Sequence, residues 1–203
     1  ELLSDNSMLA SYGLTTETAV SVFIPNTYEF FWDTDARELF ERMIKEYNRF
    51  WTEERKARAA SIPLTRTEVI TLASIVEEES NKRHELSIIA GLYINRLKIG
   101  MPLQADPTVR FAINDFKIKR VLFGHLKAQS PYNTYVNQGL PPGPIRLPLT
   151  TSIDAVLNYA KHDFLFMSAK ETFNGEHNFA KSHSEHVNNA RKYRRALDAR
   201  GIR

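Results

Sequence analysis

The sequence predicts an α+β fold, helix-dominated, with a β-hairpin and a long Pro-rich loop. Apolar residues recur at helical spacing between Thr34 and Gly100. The stretch DFLFMSAKETFNGEHNFA alternates on both sides of Asn174-Gly175, a two-residue hairpin signal. Seven of the nine prolines fall between residues 101 and 149, a segment with little periodicity.

Bulk properties narrow the function classes. The 203 residues are 42% hydrophobic and 25% charged, which suits a packed domain rather than a disordered chain. Cysteine is absent, so disulfides and thiolate metal sites are excluded. The formal charge of +3 is compatible with an anionic polymer but too weak to imply nucleic acid. No apolar run reaches the ~20 residues that span a bilayer, and the opening ELLSDNSMLASYG does not resemble a signal peptide. With no initiating methionine, the chain is expected to be part of a longer protein, with any membrane anchor upstream.

Along the chain, residues 1–33 are aromatic and Thr-rich and are expected to form short strands or an irregular lead-in. Leu39, Phe40, Met43, Ile44, Tyr47, Phe50 and Trp51 form the apolar stripe of a helix ending before Pro63. Thr65 with Glu68 is a capping-box pattern that opens a second helix. Asn81 breaks or kinks it, and the helix then continues to a C-cap at Gly100. Beyond the Pro-rich loop, which shows periodicity only near RVLFGHL, a short helix over about Ser152 to Ala160 precedes the hairpin. A basic helix from about Ser184 to Ala199 closes the chain.

The second helix carries the unusual feature. ITLASIV runs straight into Glu77, Glu78 and Glu79. At spacings of three, four and seven, Glu77 lies over Ser74, Ala73 and Ile70, and Glu79 over Val76, Ile75 and Leu72. Both therefore continue largely apolar faces, while Glu78 lies over the hydroxyl-rich one. A carboxyl at an apolar edge gains the raised pKa useful in a general acid, although charge runs are usually solvated helix ends. The loop adds Gln104 and Asp106 in a turn, then Tyr132, Asn133 and Tyr135. Amides and acids for hydroxyls, with aromatic faces for rings, are the composition of a carbohydrate site. His177, His183 and His186 supply too few ligands for an expected metal.

Four segments, TLASIVEEE (71–79), INRLKIGMPLQADPTV (94–109), YNTYVNQGLPPGPI (132–145) and HNFAKSHSEH (177–186), resemble the YceG-like family of endolytic murein transglycosylases. IPNTYEF at 24–30 resembles a further family segment. Where the family usually has ASIVEKE, Glu78 replaces the lysine, and LQADPT stands for LQTDPT. The resemblance implies a transglycosylase catalytic domain over 34–203, preceded at 1–33 by the tail of a LysM-like region or a lead-in segment. It implies cleavage of the MurNAc-β-1,4-GlcNAc bond of peptidoglycan by a single glutamate, leaving 1,6-anhydroMurNAc ends, without metal or cofactor. On it, Glu77 takes the position of the catalytic acid. Glu79, Gln104, Asp106, Tyr132, Asn133, Tyr135, His177 and His186 become substrate-binding or supporting residues. Physics alone leaves Glu77 and Glu79 undivided. A single-pass cytoplasmic-membrane protein with this domain on the extracytoplasmic side, and cell-wall synthesis enzymes as partners, are also implied. The alternatives are a two-carboxylate glycoside hydrolase using Glu77 and Asp106, and a non-catalytic peptidoglycan-binding module.

Overall fold

The computed structural model describes residues 2–118 and 121–201. The described residues of the first 33 form no strand: α1 (Asn6–Ser11) and a 3-10 turn over Ala19–Val22 lead into irregular backbone over 23–31, the second of the two expected forms. Asp5 caps α1 by accepting the Ser7 and Met8 amides. Met8, Leu9, Ala19 and Val22 then pack on Phe40 and Met43 of α2 (Ala36–Phe50), forming a small core of their own.

The single helix expected before Pro63 is two. Trp51 leaves helical geometry with its side chain 1% exposed, and Thr52 caps α3 (Glu53–Ser61) through the Arg55 amide. Burying the indole outweighs one continuous turn of helix. Leu39, at the edge of the predicted stripe, is exposed; Phe40, Met43 and Trp51 are the buried members.

α4 (Arg66–Glu79) is the axle of the molecule. Both arms of the Thr65/Glu68 capping box form, and every residue from Val69 to Val76 is buried. Such a helix needs neighbours on all sides, and α3, α5 (Arg83–Lys98), α6 (Asp106–Ala112) and α7 (Thr150–Leu157) supply them. Gly100 follows α5 at φ +66, the left-handed turn that glycine allows cheaply. α6 is a helix that the Pro-rich sequence hid: Pro107 sits in its first turn, where proline costs no hydrogen bond. The periodic segment near RVLFGHL yields only a 3-10 turn over His125–Lys127; its Arg120 lies outside the described residues.

β1 (Phe166–Ala169) and β2 (His177–Ala180) pair antiparallel, Phe166 with Ala180 and Ala169 with His177. Asn174-Gly175 is not a two-residue turn. The connection spans 170–176, closed by the Lys170 amide on the Glu176 carbonyl at 2.9 Å, with Phe173 and Gly175 both at positive φ. α8 (His183–Ala199) starts on a Ser182/Glu185 capping box and packs on the hairpin. No single described helix is long and apolar enough to cross a membrane.

Candidate active site

The three glutamates end in three different environments, because successive helix positions are turned by about 100°. Glu77 faces α7. Its Oε2 accepts the Leu149 amide at 2.7 Å and the Ser152 hydroxyl at 2.6 Å, and Oε1 lies 3.2 Å from Arg146. That is a carboxylate fully engaged in capping the start of a neighbouring helix. Glu78 bridges Arg110 of α6, at 2.7 Å, and Arg146 of the loop. It is more exposed than Glu77, as the helical faces imply, yet paired rather than free.

Glu79 opens into a cleft on another side of α4 from the pocket that Glu78 lines with Arg110, Phe111 and Arg146. Its neighbours there are Tyr93 and Arg96 of α5, Gln104, Asp106, Tyr135, Ser168 of β1 and His177 of β2, around a cavity of about 270 Å³. The Tyr93 hydroxyl donates to Glu79 Oε1 at 2.6 Å. Burial raises the Glu79 carboxyl from its ordinary 4.5 to about 7. The Tyr93 hydrogen bond pulls the other way, and the negative charge of Asp106 adds to the rise. The result is a carboxyl that can hold or release a proton near neutrality.

Around it, the cleft is tightly braced. Asp106, which opens α6, accepts the Tyr135 hydroxyl at 2.6 Å, and burial together with this bond pushes the Tyr135 phenol upward. Gln104 is held at φ +51, its amide on the Thr134 carbonyl at 3.0 Å. A non-glycine residue in the left-handed region, over-determined by its surroundings, is typical of a functional wall. Thr134 and Thr108 hydroxyls join at 2.8 Å beneath it, locking α6 to the loop. Arg96 is buried and donates to the Leu165 and Leu103 carbonyls at 2.6 and 2.7 Å, so it ties the hairpin approach to the loop.

Of the residues expected at the site, Glu79, Gln104, Asp106, Tyr135 and His177 come together. Glu77 does not; it is turned to the far side of α4 by its bonds to α7. Asn133 is fully buried and staples the loop through the Leu126 and Ala128 carbonyls, both at 2.9 Å. Tyr132 packs on Phe111, ring centroids 4.6 Å apart. His186 stacks on Phe166 rather than reaching the cleft. The sequence pattern did not single out Tyr93, Arg96 and Glu85. A tyrosine and an arginine three apart within an apolar helix were the available signal for the first two. Glu85 had none, since it sits in a polar run, NKRHELS, that resembles any solvated helix start.

The YceG-like family model matches residues 2–192. An endolytic murein transglycosylase of Bacillus subtilis is 40% identical over 161 residues, which is 79% of this chain and 44% of that protein. One from Streptococcus pneumoniae is 33% identical over 134 residues, 64% of this chain and 24% of the relative. The chain thus spans less than half the length of these curated relatives. A crystal structure of a YceG-like protein from Listeria monocytogenes superposes with a TM-score of 0.76 at 30% identity, covering 92% of this chain and 65% of that one.

Proposed function

This chain belongs to the YceG-like family, and on that footing we propose that it is the cleaving domain of an endolytic peptidoglycan lytic transglycosylase with Glu79 as its one acid/base. The observation that carries this reading is a carboxyl poised at about 7 in a cleft lined by an amide, a carboxylate, a phenol and an imidazole. Protonated Glu79 donates its proton to the oxygen of the MurNAc-β-1,4-GlcNAc bond as that bond breaks. The resulting carboxylate takes the proton of the MurNAc 6-hydroxyl as that oxygen closes on C1, leaving a 1,6-anhydro end. Each proton lost by Glu79 is regained, so one carboxyl serves both steps. Gln104, the Asp106–Tyr135 pair and His177 would hold the sugars. Glu77, engaged at α7, is replaced as the acid in this proposal.

The rival two-carboxylate hydrolase of Glu77 and Asp106 loses its acid partner to α7, and Asp106 already accepts from Tyr135. Mass spectrometry of digested peptidoglycan tests the choice. Anhydro-muropeptides are expected; reducing MurNAc ends would mean a hydrolase, and binding without product a glycan-binding module. A single-pass anchor in the cytoplasmic membrane, this domain on its outer side, and cell-wall synthesis enzymes as partners belong to the same proposal. They are supported by family resemblance alone. Fractionation of the full-length protein checks the first of these: recovery in the soluble fraction would remove it.

A further inference from the structure

Beside the cleft, Glu85, to which the acid/base mechanism gives no role, is paired with His177. Glu85 lies in the first turn of α5 and is 3% exposed. Its Oε1 accepts the His177 backbone amide at 2.7 Å. Its Oε2 accepts the Ser80 hydroxyl at 2.8 Å and lies 3.0 Å from His177 Nδ1. Burial pushes this carboxyl up, but the hydrogen bonds from His177 and Ser80 outweigh it and hold Glu85 below the usual carboxylate range. An ionised carboxylate can only accept hydrogen bonds. The nitrogen facing it must therefore carry a proton, which makes neutral His177 the Nδ1–H tautomer and leaves Nε2 bare. His177 lines the cleft with Glu79, and its Nε2 has no hydrogen-bond partner among the described residues.

We infer that Glu85 is a positioning residue that fixes His177 as the Nδ1–H tautomer, so that Nε2 accepts a hydrogen bond from an O–H or N–H of the sugar in the cleft. The identity of that ligand rests on the glycan-cleavage reading; the tautomer does not. The arrangement is built from three elements at once. Ser80 ends α4, Glu85 begins α5 and His177 begins β2, so one carboxylate sets the acid-bearing helix and the histidine in a common frame. A histidine is usually oriented this way where its second nitrogen has work to do, and a reversed tautomer disables it while leaving the geometry intact.

A glutamine at position 85 keeps the shape but offers its amide N–H₂ to Nδ1 while its oxygen accepts the backbone amide. The ring must then take the Nε2–H form and present a donor where an acceptor stood. Two-bond proton–nitrogen spectra of histidine-labelled protein, taken where the imidazoles are neutral, should show His177 as Nδ1–H in the wild type and Nε2–H in Glu85→Gln. On peptidoglycan, kcat/KM should fall about 10- to 100-fold in Glu85→Gln and in His177→Ala, the size of one well-placed hydrogen bond. The double variant should fall no further than His177→Ala alone. A carboxylate that merely staples the hairpin predicts a lower Tm with independent, multiplying effects, and that pattern would overturn the inference. So would a wild-type Nε2–H ring, or His177→Ala at wild-type kcat/KM; these two decide the matter even if Glu85→Gln does not fold. Failure of the glycan-cleavage reading looks different: wild-type protein releases no anhydro product, and the tautomer still stands or falls on the wild-type spectrum.

Discussion

Glu79 differs from its two neighbours by what surrounds it, and the difference is measurable in two ways. Its folded pKa of about 7 lies above the ordinary 4.5 because burial disfavours the charge. Below pH 4.5 both folded and unfolded forms are protonated and the group is neutral to stability. Between 4.5 and 7 the unfolded chain releases its proton while the folded one keeps it, so stability falls as pH rises. Above 7 the loss levels off at roughly 3 kcal/mol. Glu79→Gln should therefore match the wild type in chemical denaturation at pH 4 and exceed it at pH 8; equal stability at both would contradict the burial. In the proposed catalysis the sign is the same, since the acid form is lost as pH rises through about 7. Tyr93 donates to the carboxyl and so holds its pKa down. Tyr93→Phe should move the alkaline limb of the kcat/KM profile upward, and a downward shift would refute that hydrogen bond's role. At this level the sequence allowed a partial reading. Helical faces separated Glu78 from Glu77 and Glu79. The choice between those two depended on how α5 folds back on α4 and on α7, which lies about 70 residues further along the chain.

Helix α7 begins on Glu77, which accepts the Leu149 amide and the Ser152 hydroxyl. Glu77→Gln should cost about 1–3 kcal/mol of unfolding free energy, through a weakened cap and an Arg146 left without one carboxylate. The folded variant should keep its turnover. A second tie, the bidentate Arg55–Asp154 pair at 2.9 and 3.0 Å, joins α3 to the same helix. Both contacts are long-range and left no trace in local pattern. What was legible in the sequence was chemistry that acts within a few residues. The Thr65/Glu68 box and the Gly100 C-cap both formed where their residues indicated. The hairpin was foreseen but not its turn: Lys170 pairs with Glu176 and takes the connection out of the two-residue class. α6 stayed hidden because proline in a first turn looks, in sequence, like proline in a loop.

As a whole the molecule is two cores that meet at α2, where Tyr47 packs against both. The larger surrounds α4, and the smaller holds the N-terminal turns against α2. Gly143 is where the Pro-rich loop crosses the N-terminal segment, and a Cβ there would run into the Glu17 carbonyl. Gly143→Ala should lower stability by about 1–3 kcal/mol, as overpacking does, visible as a reduced Tm; an unchanged Tm would mean that this contact opens freely. The α+β class, the helical majority and the carbohydrate-like residue set are all readable from residue type and spacing. The cleft is not, because it is assembled from the end of α4, the middle of α5, the start of α6 and the hairpin, with Arg96 and Thr134 as hidden braces. That assembly is the ground on which we propose Glu79 as the acid. Purified wild-type, Glu77→Gln and Glu79→Gln proteins should be incubated with peptidoglycan and the products examined by mass spectrometry for 1,6-anhydro-muropeptides. Wild type and folded Glu77→Gln are predicted to release them and Glu79→Gln to release none; anhydro product from Glu79→Gln at the wild-type rate would contradict the assignment.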